Sequence, residues 1–293
     1  SVDPFVNRWW EPLPEAKKKG FEAVVRACRD NGIEFCFAVH PGLFSERPLV
    51  PGNARDFEDL WQHYAWMQGL GVKWFSVSYD DIGVEGLDKA RLGEDQAGLV
   101  NALLARLRAK DPGAQLIFCP VYYMGCGDTP DGRAYFEGLS RVLASDVYVF
   151  WTGDAVVPPR ITMDCAAVYK KAAGHRLVLW DNYPVNDRHP TLHLGPVVGR
   201  PADLPRLADG YMGNPLCPQN EINRIPLLTE GDYARLAPGQ PVALTTTVYL
   251  PGASSSEYGA RPLETLLTDT CAPFTSAVTV RRLMPTFLST WGT

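Results

Sequence analysis

Short apolar segments alternate with longer amphipathic segments along most of the chain, and this alternation constrains the fold more than any other feature. The strand-like segments are Ile33–Val39, Val72–Tyr79, Gln115–Phe118, Val147–Trp151, Arg176–Trp180 and, more weakly, Gly210–Met212. The helix-like segments are Pro14–Asp30, Phe57–Leu70, Gln96–Ala109, Gly132–Ala144 and Cys165–Ala173. Strands that alternate with helices of this length are typical of βαβ units, so the sequence predicts a parallel sheet.

Polar and aromatic residues gather after each predicted strand. In a (β/α)₈ barrel this is the end of the strands where active sites lie. A Rossmann-type sheet is the competing architecture, but no strand here leads into a Gly-x-Gly-x-x-Gly turn. We therefore predict an α/β fold of the TIM-like (β/α)₈ barrel type, with six strand–helix units visible and the barrel incomplete at its N-terminus.

The chain of 293 residues is long enough for one barrel domain with a full core. We predict that residues 1–240 form this catalytic domain. The segment from Pro241 onward differs, because a strand-like run from Val242 to Leu250 is followed by a Gly/Ser-rich loop. Residues 241–293 are therefore predicted to be a C-terminal appendage, whose role the sequence leaves open.

Composition argues against several classes of function. The net charge is −5 with acidic and basic residues mixed, so neither nucleic acid nor a membrane surface is an expected partner. No apolar run approaches the ~20 residues of a transmembrane helix. The seven cysteines are odd in number and lack Cys-x-x-Cys spacing, so no complete disulfide framework is expected. The five histidines form no metal signature. The N-terminus resembles no signal peptide, and the compartment stays open because the first residue is not Met.

The adjacent carboxylates Asp80 and Asp81 follow the apolar run that ends at Tyr79. A strand sends consecutive side chains to opposite faces, so the strand end can direct one carboxylate into a pocket while the next turn brings the other alongside. Two neighbouring carboxyls do not both ionise easily, which would supply the acid and the anion of a glycosidase. The alternative is a helix N-cap, since Asp is favoured at that position.

Other strand ends supply residues suited to binding a sugar: Tyr123, Trp151, Trp180, Asn182, Asp187 and Asn214. Aromatic rings pack against the apolar faces of sugars, and Asn and Asp side chains bind hydroxyl groups. Each has a purely structural alternative as a core ring, an Asx turn or a helix cap. Together, however, they repeat one polar and aromatic signature at one predicted end of the sheet.

The chain resembles the catalytic barrel of family 84 glycoside hydrolases, the β-N-acetylglucosaminidases that include the O-GlcNAcases. The similarity covers about residues 3 to 237 in the order of the family's motifs. The matching stretches are Asp3–Pro14 in part, Phe37–Gly42 (FAVHPG), Tyr79–Ile82 (YDDI), Cys119–Tyr123 (CPVYY), Phe150–Asp154 (FWTGD), Trp180–Asp187 (WDNYPVND), Leu194–Pro196 (LGP) and Asn214–Pro215.

The resemblance implies a retaining, substrate-assisted hydrolysis of terminal β-linked GlcNAc, one of the exceptions to the two-carboxylate scheme. Asp80 would orient the 2-acetamido group as an oxazoline forms, and Asp81 would act as general acid and then as general base. Tyr123 and Asn182 would hold the acetamido group, with Trp180 lining its pocket, while Asp187 and Asn214 would bind the outer hydroxyls. The implied partner is a GlcNAc-bearing glycan or glycoprotein, and neither a metal nor an organic cofactor is implied.

The sequence also departs from the family pattern. Family members carry two further strands before this point, the second ending in a sugar-binding Lys, and this chain begins where that Lys would fall. We therefore expect either a fragment of a longer protein or a rebuilt, open barrel. A GlcNAc-binding remnant without catalysis and a hyaluronidase-like activity remain as alternatives.

Overall fold

The computed structural model describes residues 8–43, 45–186, 193, 195–216 and 222–235, in which strands and helices alternate. The strands of this part are β1 Cys36–Val39, β2 Trp74–Ser78, β3 Gln115–Cys119, β4 Tyr148–Trp151, β5 Arg176–Pro184 and β6 Ala208–Asn214. Its α-helices are α1 Glu15–Asp30, α2 Ala54–Gly69, α3 Lys89–Lys110, α4 Pro130–Val142, α5 Met163–Ala173 and α6 Arg224–Ala234. Among these helices, none has the length and apolar character that crossing a membrane requires. The predicted appendage, residues 241–293, lies outside the described residues.

The six strands form one sheet, in which each strand pairs in parallel with the next strand of the chain, from β1 to β6. An α-helix follows each of the first four strands, whereas the connection from β5 to β6 contains, in its described part, a 3₁₀ turn at Leu204–Arg206. The sheet has the form of a half-barrel, with β1 and β6 as the edges of the described part. The predicted α/β fold is thus confirmed, and the six parallel strands are consistent with the predicted incomplete TIM-like barrel.

β5 is longer than the sequence pattern indicates. Its apolar run stops at Trp180, but pairing with β6 continues, with Asp181 opposite Gly213 and Pro184 opposite Asn214. The register shifts between Asp181 and Pro184, which marks a local irregularity in the ladder. The polar residues that the sequence pattern places after the strand therefore lie within it.

The outer face of the sheet packs against the helices and forms the larger core. Strand residues such as Phe75, Phe118 and Leu179 are fully buried there with Tyr64 of α2 and Leu103 of α3. Because side chains alternate along a strand, their neighbours point to the opposite, inner face. The inner face carries a smaller cluster of buried residues: Ile117, Cys119, Tyr123, Tyr148, Phe150 and Val178.

Helices α3 and α4 approach closely through two glycines. A Cβ on Gly93 would lie 2.3 Å from the carbonyl oxygen of Tyr135, and a Cβ on Gly138 would lie 2.0 Å from that of Ala90. Real Cβ atoms do not approach other atoms so closely, so both positions require the absence of a side chain. The two glycines therefore fix how near the two helices can lie.

One disulfide bond joins Cys126, in the loop after β3, to Cys165 in the first turn of α5. The other described cysteines, Cys28, Cys36 and Cys119, are free. The two remaining cysteines, Cys217 and Cys271, lie outside the described residues. The bond ties the loop that carries Tyr123 to the helix after the next strand.

Candidate active site

Asp80 and Asp81 lie at the carboxyl end of β2, where the strand has just left the sheet. Ser76 and Ser78 alternate with outward-facing Phe75 and Val77, and continuing this alternation brings Asp80 to the inner face. Asp81 has a φ of 54°, in the left-handed region that Asp tolerates better than most side chains. This conformation turns the chain sharply, so the two adjacent carboxylates take different partners.

Tyr123, in the loop after β3, donates a hydrogen bond from its hydroxyl to Oδ1 of Asp81, with an O···O distance of 2.6 Å. Partial burial, the hydrogen bond and the negative charge of Asp81 raise the pKa of the Tyr123 hydroxyl. The phenol therefore remains a proton donor at neutral pH. The loop is held by a backbone hydrogen bond from Thr152 N to Tyr123 O.

His40, which follows β1, holds Asp80 from the other side. Its Nδ1 accepts hydrogen bonds from the backbone N–H groups of Gly42 and Leu43, at 3.3 and 2.8 Å. In the neutral ring Nε2 must therefore carry the hydrogen, and it lies 2.7 Å from the carbonyl oxygen of Asp80 and 3.4 Å from carboxylate Oδ1. His40 is not among the predicted site residues, although its place at the end of a strand was a usable signal.

Cys119, the last residue of β3, is a further inner-face neighbour of Asp80. Burial, followed by the negative charge of Asp80, raises the pKa of its thiol well above the ordinary value. The thiol is therefore protonated at neutral pH. It supplies an uncharged surface beside the Asp80 carboxylate.

Asn182 of β5 and Asn214 of β6 form a second part of the site. Nδ2 of Asn214 donates to Oδ1 of Asn182 at 2.8 Å, and Nδ2 of Asn182 donates to the carbonyl oxygen of Val156 at 2.7 Å. Two neighbouring strands and the loop after β4 are thereby joined through the Asn182 amide. Each amide nitrogen retains a second N–H that these bonds do not use.

The side chains of Trp180 and Trp151 lie on opposite faces of the sheet. The Trp180 ring packs edge-to-face on Phe150 at 5.2 Å within the inner cluster, and its buried Nε1 bonds to none of the described residues. Trp151 is fully buried on the outer face, where it stacks on Tyr169 and donates from Nε1 to Gly125 O. The expectation that Trp151 walls the sugar site is therefore corrected, because alternation along β4 sends Phe150 inward and Trp151 outward.

The structure thus brings Asp80, Asp81, Tyr123, Trp180, Asn182 and Asn214 to one end of the inner face. Asp187, the remaining predicted site residue, lies outside the described residues. In the described part of the chain, no group of three or more His, Cys, Asp or Glu side chains could hold a metal ion. Oδ1 of Asp80 is buried and, like Nε1 of Trp180, has no hydrogen-bond partner in the part of the chain that the structure describes.

Comparison with known proteins points to one family. The sequence model described as β-N-acetylglucosaminidase matches residues 2–246. Protein O-GlcNAcase from Rattus norvegicus is 27% identical over 230 residues, and protein O-GlcNAcase from Mus musculus is 27% identical over the same length. A mutant of the O-GlcNAc hydrolase of Thermobaculum terrenum superposes with a TM-score of 0.71 at 28% identity.

These matches cover a larger share of this chain than of the proteins it resembles. Each of the two mammalian alignments covers 75% of this chain but 24% of the relative. The Thermobaculum structure matches 81% of this chain and 52% of its own. The chain therefore spans about a quarter of the curated relatives and about half of that solved chain.

Proposed function

The chain belongs to the β-N-acetylglucosaminidase family, family 84 of the glycoside hydrolases, and we propose that it hydrolyses terminal β-linked GlcNAc with retention of configuration. The observation that carries the proposal is the adjacent pair Asp80–Asp81 at one end of the inner face: Tyr123 donates a hydrogen bond to the Asp81 carboxylate, whereas His40 Nε2 bonds the Asp80 main chain and lies 3.4 Å from its carboxylate. The substrate is a GlcNAc-bearing glycan or glycoprotein.

In this mechanism Asp80 accepts a hydrogen bond from the N–H of the 2-acetamido group. The acetamido oxygen attacks the anomeric carbon, the glycosidic bond breaks and the N–H proton passes to Asp80, which gives an oxazoline; Asp80 returns this proton to the nitrogen when water opens the ring. The buried Oδ1 of Asp80 supports this role because none of the described residues forms a hydrogen bond with it. His40 supports it too, since its Nε2–H holds the Asp80 main chain and lies near the carboxylate.

Asp81 acts first as general acid, giving its proton to the leaving oxygen. It then takes a proton from the water that opens the oxazoline, which returns the acid to its starting state and releases β-GlcNAc. Asp81 is more exposed than Asp80, as a group that must reach both the leaving group and water requires. The 2.6 Å hydrogen bond from Tyr123 fixes the direction of the carboxyl.

The remaining residues bind the sugar in this proposal. Tyr123 and Asn182 lie beside the acetamido group, and Trp180 lines its pocket with an N–H that is unpaired among the residues the structure describes. Asn214 and Asp187 take the outer hydroxyl groups. A sugar analogue that lacks one of these hydroxyl groups would leave the matching polar side chain unpaired. The site would therefore bind the analogue less well than GlcNAc.

The first test is hydrolysis of an aryl β-N-acetylglucosaminide by the full 293-residue chain, beside the same aryl β-glucoside. We expect turnover of the first compound only, because the glucoside lacks the acetamido nucleophile. Equal turnover of both would contradict substrate assistance. A folded protein that binds a GlcNAc-oxazoline mimic without turnover would instead be a binding remnant, and cleavage of hyaluronan alone would indicate the hyaluronidase-like alternative.

Two variants separate the roles of the carboxylates. Asp81→Asn should slow hydrolysis most for aglycones that are poor leaving groups, because only these need the proton in the transition state. Asp80→Asn should slow good and poor leaving groups alike, because the oxazoline forms in both reactions. The difference is measured by plotting log kcat/KM of each variant against the pKa of the leaving group. Equal slopes for the two variants would contradict the separate roles of Asp80 and Asp81.

A further inference from the structure

A buried charged cluster lies on the outer face of β5, behind the candidate active site. Asp181 is fully buried, and the Arg200 side chain that pairs with it is 5% exposed. Arg200 Nε donates to Asp181 Oδ2 at 2.7 Å while Nη2 donates to Oδ1, and the Tyr211 hydroxyl donates to Oδ2 at 2.7 Å. The proposed mechanism gives none of these groups a role.

Arg200 joins three segments of the chain. Besides Asp181, its Nη1 contacts the carbonyl oxygens of Val198 at 2.7 Å and Pro158 at 3.3 Å. Asp181 belongs to β5, Pro158 to the loop after β4, and Val198 to the connection from β5 to β6. A single guanidinium therefore determines how the end of β5 lies against the loop after β4.

The inner-face amide of Asn182 is positioned by two of these segments, β5 and the loop after β4. Asn182 follows Asp181 on β5, and its Nδ2 donates to Val156 O, two residues before Pro158. Tyr211 lies on β6 with Asn214, whose Nδ2 donates to Asn182 Oδ1. Every partner of the Asn182 amide therefore lies on a segment that the buried cluster holds.

We propose that Arg200 is a positioning residue, which acts through Asp181 and the loop after β4 to place the Asn182 and Asn214 amides; the effect on activity rests on the function proposed above. A buried ion pair contributes little net stability compared with apolar residues of similar volume, whereas its geometry holds the groups it joins in one arrangement. The planar fork of Arg matches a carboxylate at two points, which Lys cannot reproduce.

The experiment compares Arg200→Lys in two backgrounds. Arg200→Lys should lower kcat/KM for the aryl β-N-acetylglucosaminide about tenfold in the wild type, but less than about twofold in Asn182→Ala, because the group through which it acts is then absent. Arg108→Lys is the matched control, since it alters an Arg–Asp146 pair near the amino ends of β3 and β4. The same loss in both backgrounds would overturn the proposal.

A second readout does not require turnover. In ¹⁵N-labelled protein, the side-chain amide signals of Asn182 and Asn214 should shift in Arg200→Lys and stay in place in Arg108→Lys. If the two amide signals do not move in Arg200→Lys, the positioning role is overturned, whether or not the wild-type protein is active. If the signals move but the wild-type protein has no turnover, only the proposed function is contradicted. If Arg200→Lys does not fold, Tyr211→Phe removes one hydrogen bond to Asp181 without changing charge and should shift the same signals less.

Discussion

At the scale of single residues, the two adjacent carboxylates differ because the backbone turns between them. Asp80 continues the alternation of β2, whereas the left-handed φ of Asp81 sends its carboxylate to Tyr123 on the next strand's loop. The Asp80 carboxylate thus lies near His40 and the Cys119 thiol. The Asp81 carboxylate faces the Tyr123 hydroxyl and solvent. This asymmetry suits two groups with separate roles in one reaction.

The hydrogen bond from Tyr123 to Asp81 yields the prediction at this scale. Tyr123→Phe should lower kcat about 10- to 100-fold, because hydrogen bonds to charged groups contribute roughly 1.5–3 kcal/mol. Initial rates with an aryl β-N-acetylglucosaminide measure the effect, and thermal unfolding checks that the fold is intact. Tyr122→Phe is the control, since its ring packs on Tyr135 in the outer core. Equal effects of the two changes would contradict a role for the Tyr123 hydroxyl.

At the scale of elements, the contact between α3 and α4 depends on the absence of two side chains. Gly93 and Gly138 each lie against the main chain of the opposing helix, so neither position has room for a methyl group. Helix propensity alone would favour Ala at every such position. The close approach of the helices therefore overrides local preference at these glycines.

The prediction at this scale compares two glycines in helices. Gly138→Ala should lower the free energy of unfolding by about 1–3 kcal/mol, because its methyl group would overlap the Ala90 carbonyl. Gly98→Ala in α3 should raise it by up to about 1 kcal/mol, because no atom lies within 4 Å of its added Cβ. Urea unfolding of both variants gives the two values. A stabilised Gly138→Ala variant would mean that α3 and α4 do not approach so closely.

At the scale of the whole molecule, one buried carboxyl links stability to pH. Glu230 of α6 is fully buried, and its carboxyl occupies the space where Gly213 of β6 would carry a Cβ. Burial, with a smaller contribution from the charge of Asp181, raises the pKa of Glu230 from 4.5 to about 9, against the lowering effect of Arg200. Glu230 is therefore protonated in the folded protein at neutral pH.

The sign of the pH effect follows from the raised pKa. Between pH 4.5 and about 9 the folded state retains a proton that the unfolded state loses, so stability falls as pH rises through this window. Glu230 contributes a slope of at most about 1.4 kcal/mol for each pH unit. Glu230→Gln has no proton to lose and should flatten the dependence, as urea unfolding at pH 5 to 8, about half a unit apart, would measure. An unchanged slope would contradict the burial of an ionisable group at this position.

The sequence by itself determined the alternating α/β order, the approximate places of the strands and the family, because apolar periodicity and short motifs are local properties of the chain. The tertiary structure decided which strand-end residues meet. Trp151 and Trp180 both end apolar runs, but only the packed sheet fixes which parity faces inward. His40, Asn182 and Arg200 acquired partners 19 to 40 residues away along the chain, and such contacts depend on how strands and loops assemble in space.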